Sequence, residues 1–388
     1  MKLAIIGGGP AGFMAAIIAK ENNPIADITI FDKAKPLATL LYTGGGRCNL
    51  TNAEFDFKEL AKNYPRGEKF LYSIFSQFDV SSMFEFFSKY GLELYIQEDN
   101  RVFPKSDQAD EIKDLLISIA VGKGIKLKSH TEVYSIKKTS DFLINDDFHF
   151  DKVVIATGGK NKFGYKIAKS FGHTVSDLEP ILCGMKINEP LSKIAGVSLK
   201  NVSGKAKNIE LHGDFLFTHK GLSGPLILNL SSYLAFEKLP VTLTLNFSGI
   251  DFEEQDAELI KLLAENPKKN ISNLLQKYLP SAMAEELLNR HGISLDKKSF
   301  EINSKDRKCI SGFLSEFKVD LIEKDTPFMV TAGGIELNEV DKNLQSKIVD
   351  GLYFAGEILN IDGLCGGYNL QACFSMGYVI GKAVTAKE

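Results

Sequence analysis

The chain begins with a short apolar run, a cluster of glycines, a helical pattern and a second apolar run. Leu3 to Ile6 is apolar throughout, as expected for a strand buried on both faces of a parallel sheet. The pattern of Phe13 to Glu21 predicts a helix, and Ile28 to Phe31 predicts the next strand. Between the first strand and the helix stand the three glycines of a G-x-G-x-x-G motif, Gly7, Gly9 and Gly12. A strand, a helix and a second strand within about 30 residues predict a βαβ unit.

The spacing of these glycines is typical of a dinucleotide-binding turn. Gly7 permits a tight turn, Gly9 lets the backbone approach a pyrophosphate, and Gly12 lets the helix pack closely on the strand. The free N–H groups of the helix N-terminus would face the phosphates. Asp32 ends the second strand 20 residues after Gly12, where a carboxylate can accept a hydrogen bond from a ribose hydroxyl. The alternative is a glycine turn in an α/β domain that binds no nucleotide, but the strand, helix and acid together favour the dinucleotide.

Three further glycine-rich segments lie downstream. Residues 43–52 (TGGGRCNLTN) suit a loop laid against a ligand, although a flexible surface loop can have the same composition. Residues 156–159 (ATGG) end a predicted strand. Glu357 ends another predicted buried strand, where a carboxylate is costly unless it has polar partners such as ribityl hydroxyls. Gly366 and Gly367 precede the last predicted helix and would bring its N-terminus close to a ring system.

Composition disfavours several classes of protein. The formal net charge is −3, so the chain lacks the positive excess of proteins that bind nucleic acid through bulk basicity, and the lysine pairs at 268–269 and 297–298 are predicted to be solvated. The five cysteines have no C-x-x-C spacing, which disfavours a zinc site or a disulfide scaffold and favours a reducing compartment. No run of about 18 apolar residues occurs, so no transmembrane helix is predicted. We expect a cytoplasmic monomer or homodimer with no membrane or nucleic-acid partner.

The middle of the chain changes character. Short alternating segments predict a β-rich insert, and leucines at helical spacing then predict a helical subdomain. The sequence therefore predicts a discontinuous first domain at 1–185 and 327–388, a β-rich substrate-side insert at 186–250 and 317–326, and a helical subdomain at 251–316.

Eight segments carry a resemblance to a known family. They are GGGPAG at 7–12, TGGGRCNLTN at 43–52, RVFPKS at 101–106, ATGG at 156–159, GH at 172–173, FTHKGLSGP at 217–225, TAGGIELNEV at 331–340 and GLYFAGEILNIDGLCGGYNLQ at 351–371. With these segments the chain resembles the BaiN-like (YhiN-like) bacterial flavoproteins, the group that also contains aminoacetone oxidase. The segments span nearly the whole chain in the family's order.

The resemblance implies an α/β fold: an FAD-binding Rossmann-like domain of the two-dinucleotide-binding type, with a β-barrel-like insert and a small helical subdomain. It also implies a set of FAD-binding residues, with Val133 giving backbone contacts to the adenine. That set is Gly7, Gly9, Pro10, Ala11, Gly12, Asp32, Lys33, Arg47, Cys48, Asn49, Val133, Ala156, Thr157, Gly158, Gly356, Glu357, Gly367, Tyr368, Asn369 and Leu370.

The chain departs from the family pattern in three places. Leu37, Ala38 and Thr39 stand where the family usually has Gly, a basic residue and Lys, so a lysine that contacts phosphate or ribose is missing. The segment after ATGG is cut to KNKFGY at 160–165, which puts substrate and nicotinamide access in question. Ala372-Cys373 replace the family's Trp. These changes leave FAD binding expected but do not support any particular family substrate.

One G-x-G-x-x-G motif occurs, so NAD(P)H, if it is the reductant, would dock directly at the flavin face without a nucleotide domain of its own. We therefore hypothesise an FAD-dependent oxidoreductase acting on a small organic substrate that binds between the FAD domain and the inserts. The catalytic residues are not assigned; Arg47 could clamp an anionic oxygen, and His219 could exchange a proton or be a structural loop residue. Two alternatives stay open, an amine oxidase of the aminoacetone-oxidase type that uses oxygen, and a non-catalytic flavin-binding redox sensor.

Overall fold

Strands and helices alternate along much of the chain. The computed structural model describes residues 1–189 and 191–386. The strands are β1 Lys2–Ile6, β2 Asp27–Phe31, β3 Thr51–Asn52, β4 Leu94–Ile96, β5 Arg101–Pro104, β6 Lys126–Lys128, β7 Ile136–Lys138, β8 Phe142–Ile144, β9 Phe148–Phe150, β10 Lys152–Ile155, β11 Glu179–Ile181, β12 Met185–Ile187, β13 Ser198–Ala206, β14 Ile209–Phe217, β15 Gly221–Ser223, β16 Val241–Asn246, β17 Phe317–Lys324, β18 Val330–Ala332 and β19 Leu352–Phe354. The helices are α1 Pro10–Asn22, α2 Phe57–Ala61, α3 Glu68–Phe75, α4 Val80–Lys89, α5 Ala109–Gly122, α6 Lys162–Ser170, α7 Pro225–Tyr233, α8 Phe252–Glu265, α9 Ile271–Leu274, α10 Ser281–Arg290, α11 Ser304–Ser315 and α12 Tyr368–Ala383.

The chain folds into two compact units, residues 1–179 with 330–388 and residues 180–329. Each unit has its own hydrophobic core. The finer division predicted from the sequence, with boundaries near residues 185, 250, 316 and 326, stays a prediction.

The first unit is built on a parallel sheet in the order β19-β10-β1-β2-β6. Leu3 of β1 is paired with Lys152 of β10 on one side and with Ile28 of β2 on the other. The inner strands are continuous apolar runs because helices and connecting segments cover both faces of the sheet. Since all these strands run the same way, their carboxyl ends lie along one edge, and the predicted glycine segments leave the sheet there.

Helices α1 and α12 pack side by side with very little space between their backbones. A Cβ atom on Gly377 would lie 2.4 Å from the Ala11 carbonyl oxygen, and one on Gly381 would lie 2.8 Å from the Ala15 carbonyl oxygen and 2.6 Å from Cβ of Ile18. Gly377 lies against Ala11, and Gly381, one turn later, lies against Ala15, which is also one turn later. The two helices are therefore parallel. Their N-termini therefore lie at the same end, next to the carboxyl edge of the sheet.

The second unit contains a closed barrel in the order β12-β15-β14-β13-β16-β17, all antiparallel. Helix α7 lies within the segment that the sequence predicted as β-rich, and α8 to α11 fill the stretch between β16 and β17. Strand β17 follows these helices and closes the barrel against β12. The predicted fold class, a Rossmann-like α/β domain with a barrel-like insert and a helical part, is confirmed. Within the described ranges, the longest apolar helices are too short or too polar to cross a bilayer.

Candidate functional site

Glycine occupies three positions of the first turn, and the physical surroundings differ at each. Gly7 has φ +111°, and a Cβ there would lie 2.2 Å from the Ala156 carbonyl oxygen, so only glycine fits. A Cβ on Gly12 would lie 2.2 Å from the Gly7 carbonyl oxygen, which explains how closely α1 approaches β1. Gly9 is different, because a Cβ there would meet nothing within 4 Å. The protein itself thus places no steric demand on Gly9, and the open space lies at the N-terminus of α1.

This open space lies at the point where the strand order reverses. From β1 the chain continues to β2 and β6 on one side, while β10 and β19 lie on the other. Crevices of this kind, outside the carboxyl ends of parallel strands, are the usual ligand sites of open α/β sheets. Gly158, just after β10, has φ +72° and is also open around its Cβ position. The side-chain oxygen of the neighbouring Thr157 is buried and has no hydrogen-bond partner among the described residues.

Asp32 stands at the end of β2, as predicted, and its carboxylate is already engaged. Its Oδ2 accepts a hydrogen bond from the Gly8 N–H (2.7 Å), and its Oδ1 accepts one from the Ala34 N–H (2.8 Å). These bonds hold the carboxylate beside the glycine turn, and each oxygen retains a further lone pair for a ligand hydroxyl. Lys33 is exposed, and Val133 is buried in the segment after β6, whose Thr131 N–H donates to the Asp32 carbonyl.

The N-terminus of α12 presents a second set of free backbone donors. The first hydrogen bond of this helix runs from the Gln371 N–H to the Gly367 carbonyl (3.1 Å), so the N–H groups of Tyr368, Asn369 and Leu370 precede the helical ladder. The side chain of Asn369 makes two hydrogen bonds to the backbone of Gly363, at 2.9 and 2.7 Å. Asn369 therefore holds the preceding loop with its amide, and its N–H is the group left to face a ligand.

Gly367 seats this helix against the second glycine segment. It has φ +100°, and a Cβ there would lie 2.4 Å from the Thr51 carbonyl oxygen. With its amide oriented to satisfy both ends, the Asn49 side chain accepts from the Gly367 N–H (3.1 Å) and donates to the Thr51 carbonyl (3.0 Å). The TGGGRCNLTN segment thus lies along the start of α12, as its composition predicted for a ligand loop.

Arg47 is held on an aromatic platform that the sequence had not assigned a role. Its guanidinium carbon lies 4.0 Å from the centre of the Phe103 ring, and Nη1 is 3.7 Å from a carboxylate oxygen of Asp107. Arg101, on the same strand as Phe103, lies 5.6 Å from the ring centre. The RVFPKS segment supported the family resemblance, but a motif match alone could not reveal this stacking.

Two cysteines of this site, Cys48 and Cys373, have thiols that burial keeps protonated. Cys48 is fully buried with φ +64°, and burial raises the pKa of its thiol to about 12. Burial also raises the pKa of Cys373 to about 12. Neither side chain is a thiolate near neutral pH, so Cys48 can contribute to a ligand contact only through its backbone or by packing. All five cysteines are free thiols.

Glu357 is the one carboxyl of the candidate set with a strongly displaced pKa. It follows β19, accepts a hydrogen bond from the Thr331 N–H (2.8 Å), and packs so closely on Gly159 that a Cβ there would lie 2.5 Å from its Oε1. Desolvation by burial raises the pKa of Glu357 to about 7, against the lowering effect of the Thr331 N–H. A carboxyl that gains a proton near pH 7 can donate or accept a hydrogen bond to a sugar hydroxyl.

The displaced pKa of Glu357 predicts how the stability of the flavin-free protein depends on pH. The unfolded chain releases this proton near 4.5 and the folded chain near 7, so the free energy of unfolding should fall as pH rises between these values and then level off. Glu357→Gln should flatten this decline. Urea unfolding of the flavin-free proteins at a series of pH values measures it, with Glu98→Gln on an exposed residue as the control. Equal slopes for wild type and Glu357→Gln would contradict the assignment.

The two candidate catalytic residues lie in different compact units. Arg47 belongs to the first unit, whereas His219 belongs to the second and is exposed in the turn between β14 and β15. That turn is closed by a hydrogen bond from the Thr218 N–H to the Gly221 carbonyl (2.8 Å). Among residues 1–189 and 191–386, no group of His, Cys, Asp and Glu side chains is arranged to hold a metal ion.

Together these features fit FAD. Two parallel helix N-termini and the open space at Gly9 and Gly158 form a cradle for a long, anionic ligand. A family model described as the HI0933-like protein Rossmann domain matches residues 1–383. The chain belongs to this family. The family includes the BaiN and YhiN-like flavoproteins, so the resemblance predicted from the motifs is confirmed, and its members are FAD-dependent oxidoreductases.

Curated relatives match along their whole length. The 3-dehydro-bile acid delta(4,6)-reductase of Clostridium scindens is 29% identical over 420 residues, covering 100% of this chain and 99% of the relative. The ribosomal RNA dihydrouridine synthase of Escherichia coli is 28% identical over 405 residues, covering 99% and 98%. The enzyme of the same name from Haemophilus influenzae is 27% identical, covering 98% of each chain.

Solved structures support the fold of this HI0933-like protein. A 3-ketosteroid-delta4-(5alpha)-dehydrogenase from Rhodococcus jostii matches with a TM-score of 0.51 at 15% identity, covering 99% of this chain and 96% of the other. A 3-ketosteroid delta1-dehydrogenase from Sterolibacterium denitrificans also gives a TM-score of 0.51, at 11% identity and 99% coverage of both chains. At these identities the likeness concerns the fold alone.

Proposed function

We propose that this protein is an FAD-dependent reductase of a carbon–carbon double bond conjugated to a carbonyl group, with NAD(P)H as the source of electrons. The observation that carries the proposal is the pair of parallel helix N-termini, α1 and α12, at the carboxyl edge of the sheet. When bound, FAD supplies hydride transfer, and the protein supplies position and electrostatics.

We propose that the residues predicted from the sequence hold the FAD. The N-terminus of α1 would bind the pyrophosphate, Asp32 and Val133 would bind the adenosine end, and Glu357 would offer a polar group to the ribityl hydroxyls between the two ends. The full proposed set is Gly7, Gly9, Pro10, Ala11, Gly12, Asp32, Lys33, Arg47, Cys48, Asn49, Val133, Ala156, Thr157, Gly158, Gly356, Glu357, Gly367, Tyr368, Asn369 and Leu370.

The N-terminus of α12 would stabilise negative charge during the reaction. Its free N–H groups at Tyr368, Asn369 and Leu370 carry the positive end of the helix dipole and stabilise negative charge next to them. Arg47 is fixed on Phe103, so its guanidinium can bind a substrate carbonyl oxygen or an anionic group.

The names of the curated relatives support this substrate class. A delta(4,6)-reductase of a 3-dehydro-bile acid reduces ring double bonds in a steroid that carries a ketone. Dihydrouridine is uridine whose ring double bond, next to a carbonyl, has been reduced. Both reactions require the addition of hydride to a double bond that is polarised by a carbonyl group.

A second candidate substrate follows from the same relatives. Two of them, 28% and 27% identical across nearly the whole chain, are named for ribosomal RNA. The absence of a nucleic-acid partner therefore stays a prediction, and a uridine within RNA is the second candidate. The amine oxidase and the flavin-binding sensor are less favoured, because the curated relatives named above are a reductase and two dihydrouridine synthases.

Anaerobic rapid mixing tests the proposal. We expect the purified protein to carry FAD, NADH or NADPH to bleach the flavin absorbance, and a cyclic enone or a uridine-containing RNA to restore it. The ratio of the NADH and NADPH rates would give the preferred nicotinamide. Peroxide produced from an amine without NAD(P)H would support the oxidase instead. Bound flavin that no electron donor reduces would overturn the reductase.

A further inference from the structure

Two lysine pairs that are far apart in the sequence lie next to each other in the second unit. Lys268-Lys269 follow α8, and Lys297-Lys298 precede a 3₁₀ turn at Ser299–Glu301. The Ile271 N–H donates to the Lys297 carbonyl (2.9 Å), and the Ser299 N–H donates to the Lys269 carbonyl (3.0 Å). These bonds form an antiparallel bridge at Asn270 and Lys298. The bridge concentrates positive charge that the net value of −3 conceals.

An exposed aromatic ring stands at the end of this bridge. Phe300 is 70% exposed, although its backbone is fixed by a hydrogen bond from its N–H to the Pro267 carbonyl (3.2 Å). A single exposed apolar side chain is common on protein surfaces. This one is informative because its backbone is bonded to the residue before Lys268 and lies four residues before the start of α11, where Lys305 lies.

Three acidic side chains around this surface each have a hydrogen-bond or ion-pair partner within the protein. Asp306 pairs with Lys297 (2.5 Å), Asp296 accepts from the Asn270 amide (3.2 Å), and Glu301 accepts from the Lys298 N–H (2.7 Å). In the part of the chain that the structure describes, no ion pair engages Lys268, Lys269 or Lys305.

Lys305 lies at the end of its helix where a positive charge is electrostatically unfavourable. It lies in the first turn of α11, where the helix dipole disfavours a cation. A local choice that costs stability without a compensating contact within the protein is typical of a surface kept for a ligand.

We propose that Lys268, Lys269, Lys305 and Phe300 form a docking surface for single-stranded RNA, here called the Phe300 surface. The three ammonium groups would contact phosphates, and the fixed ring would stack on one unpaired base. Each nucleotide of a single strand offers both a phosphate for a cation and a flat base for the ring, and on this ground we favour RNA over an acidic peptide. The inference rests on the second candidate substrate of the proposed function, a uridine within RNA, but RNA binding can be measured on protein that turns nothing over.

Fluorescence anisotropy with a short labelled oligouridine at several salt concentrations tests the Phe300 surface. The triple variant Lys268→Ala, Lys269→Ala, Lys305→Ala should lower the slope of log affinity against log salt by about 2, since each phosphate contact on a single strand contributes about 0.7. Phe300→Ala should weaken binding by about tenfold with the salt slope unchanged, and Phe300→Tyr should restore it.

Matched variants separate a local surface from general charge. The control triple replaces three exposed lysines elsewhere in the second unit, Lys200, Lys205 and Lys238, and the control for the ring is Phe236→Ala at a side chain that is 51% exposed. Visible flavin absorbance and a thermal melt check that each variant is folded. Equal losses in the control triple, unchanged binding in the test triple, or equal affinity for polyglutamate or anionic vesicles would overturn the proposal. Failure of the flavin to be reduced would leave the RNA result standing by itself.

Discussion

Gly9→Asp should give a folded protein that purifies without FAD. The substitution should not disturb folding, because a Cβ on Gly9 meets nothing within 4 Å and the backbone there is extended, with φ −88°. Gly9 is also the residue that caps the N-terminus of α1, a position where Asp is among the preferred residues. Asp at position 9 is therefore compatible with the fold, and its negative charge would repel an anion bound at the helix N-terminus.

We expect the affinity for FAD to fall by more than about 100-fold, as two like charges would face each other at close range in a partly desolvated site. Flavin absorbance after purification and titration of the apoprotein with FAD measure the loss. Gly122→Asp adds the same charge at an exposed glycine that also has open space around its Cβ position, and it should retain FAD. Normal flavin content in Gly9→Asp would refute the placement of the pyrophosphate.

The sequence was a good guide where backbone constraints dominate. Gly7 was predicted to serve a tight turn and Gly12 a close helix contact. A Cβ on Gly7 would lie 2.2 Å from the Ala156 carbonyl oxygen, and a Cβ on Gly12 would lie 2.2 Å from the Gly7 carbonyl oxygen, so neither position has room for a side chain. Such predictions succeed because a glycine with a positive φ or no room for Cβ leaves a mark on the sequence that does not depend on distant residues. The carboxyl-edge positions of Asp32 and Glu357 follow equally from strand ends.

The sequence was a poor guide where side chains meet across the fold. Asn369 was predicted to contact the cofactor, and that stays a prediction, but nothing in the sequence indicated that its side-chain amide bonds to the backbone of Gly363. Leu37 stands where the family usually has Gly, and it adopts φ +59°, a conformation that glycine adopts more readily than leucine. The lysine pairs at 268–269 and 297–298 were predicted to be solvated, and the backbone bridge between their two loops was not predicted, since nothing in a linear pattern shows that two loops will pair.

Gly377→Ala and Gly312→Ala should have opposite effects on stability. Both glycines lie inside helices, so each change brings the same intrinsic gain of about 1 kcal/mol in helix propensity. The Cβ on Gly312 would meet only the Phe252 ring, at 4.0 Å, whereas the Cβ on Gly377 would lie 2.4 Å from the Ala11 carbonyl and 2.8 Å from Cβ of Met14. Backbone atoms cannot yield at such distances, so α12 must move away from α1.

We expect Gly377→Ala to lose about 1–3 kcal/mol despite the gain in propensity, and to lower the melting temperature, while Gly312→Ala leaves it unchanged or raises it. Gly377→Ala should also lose FAD, because moving α12 separates the two helix N-termini that form one anion cradle. Thermal melts with flavin release as a second signal measure both effects. If Gly377→Ala melted early yet held FAD as tightly as wild type, the α12 N-terminus would have no part in binding it, and the basis of the proposed function would fail while the fold stood.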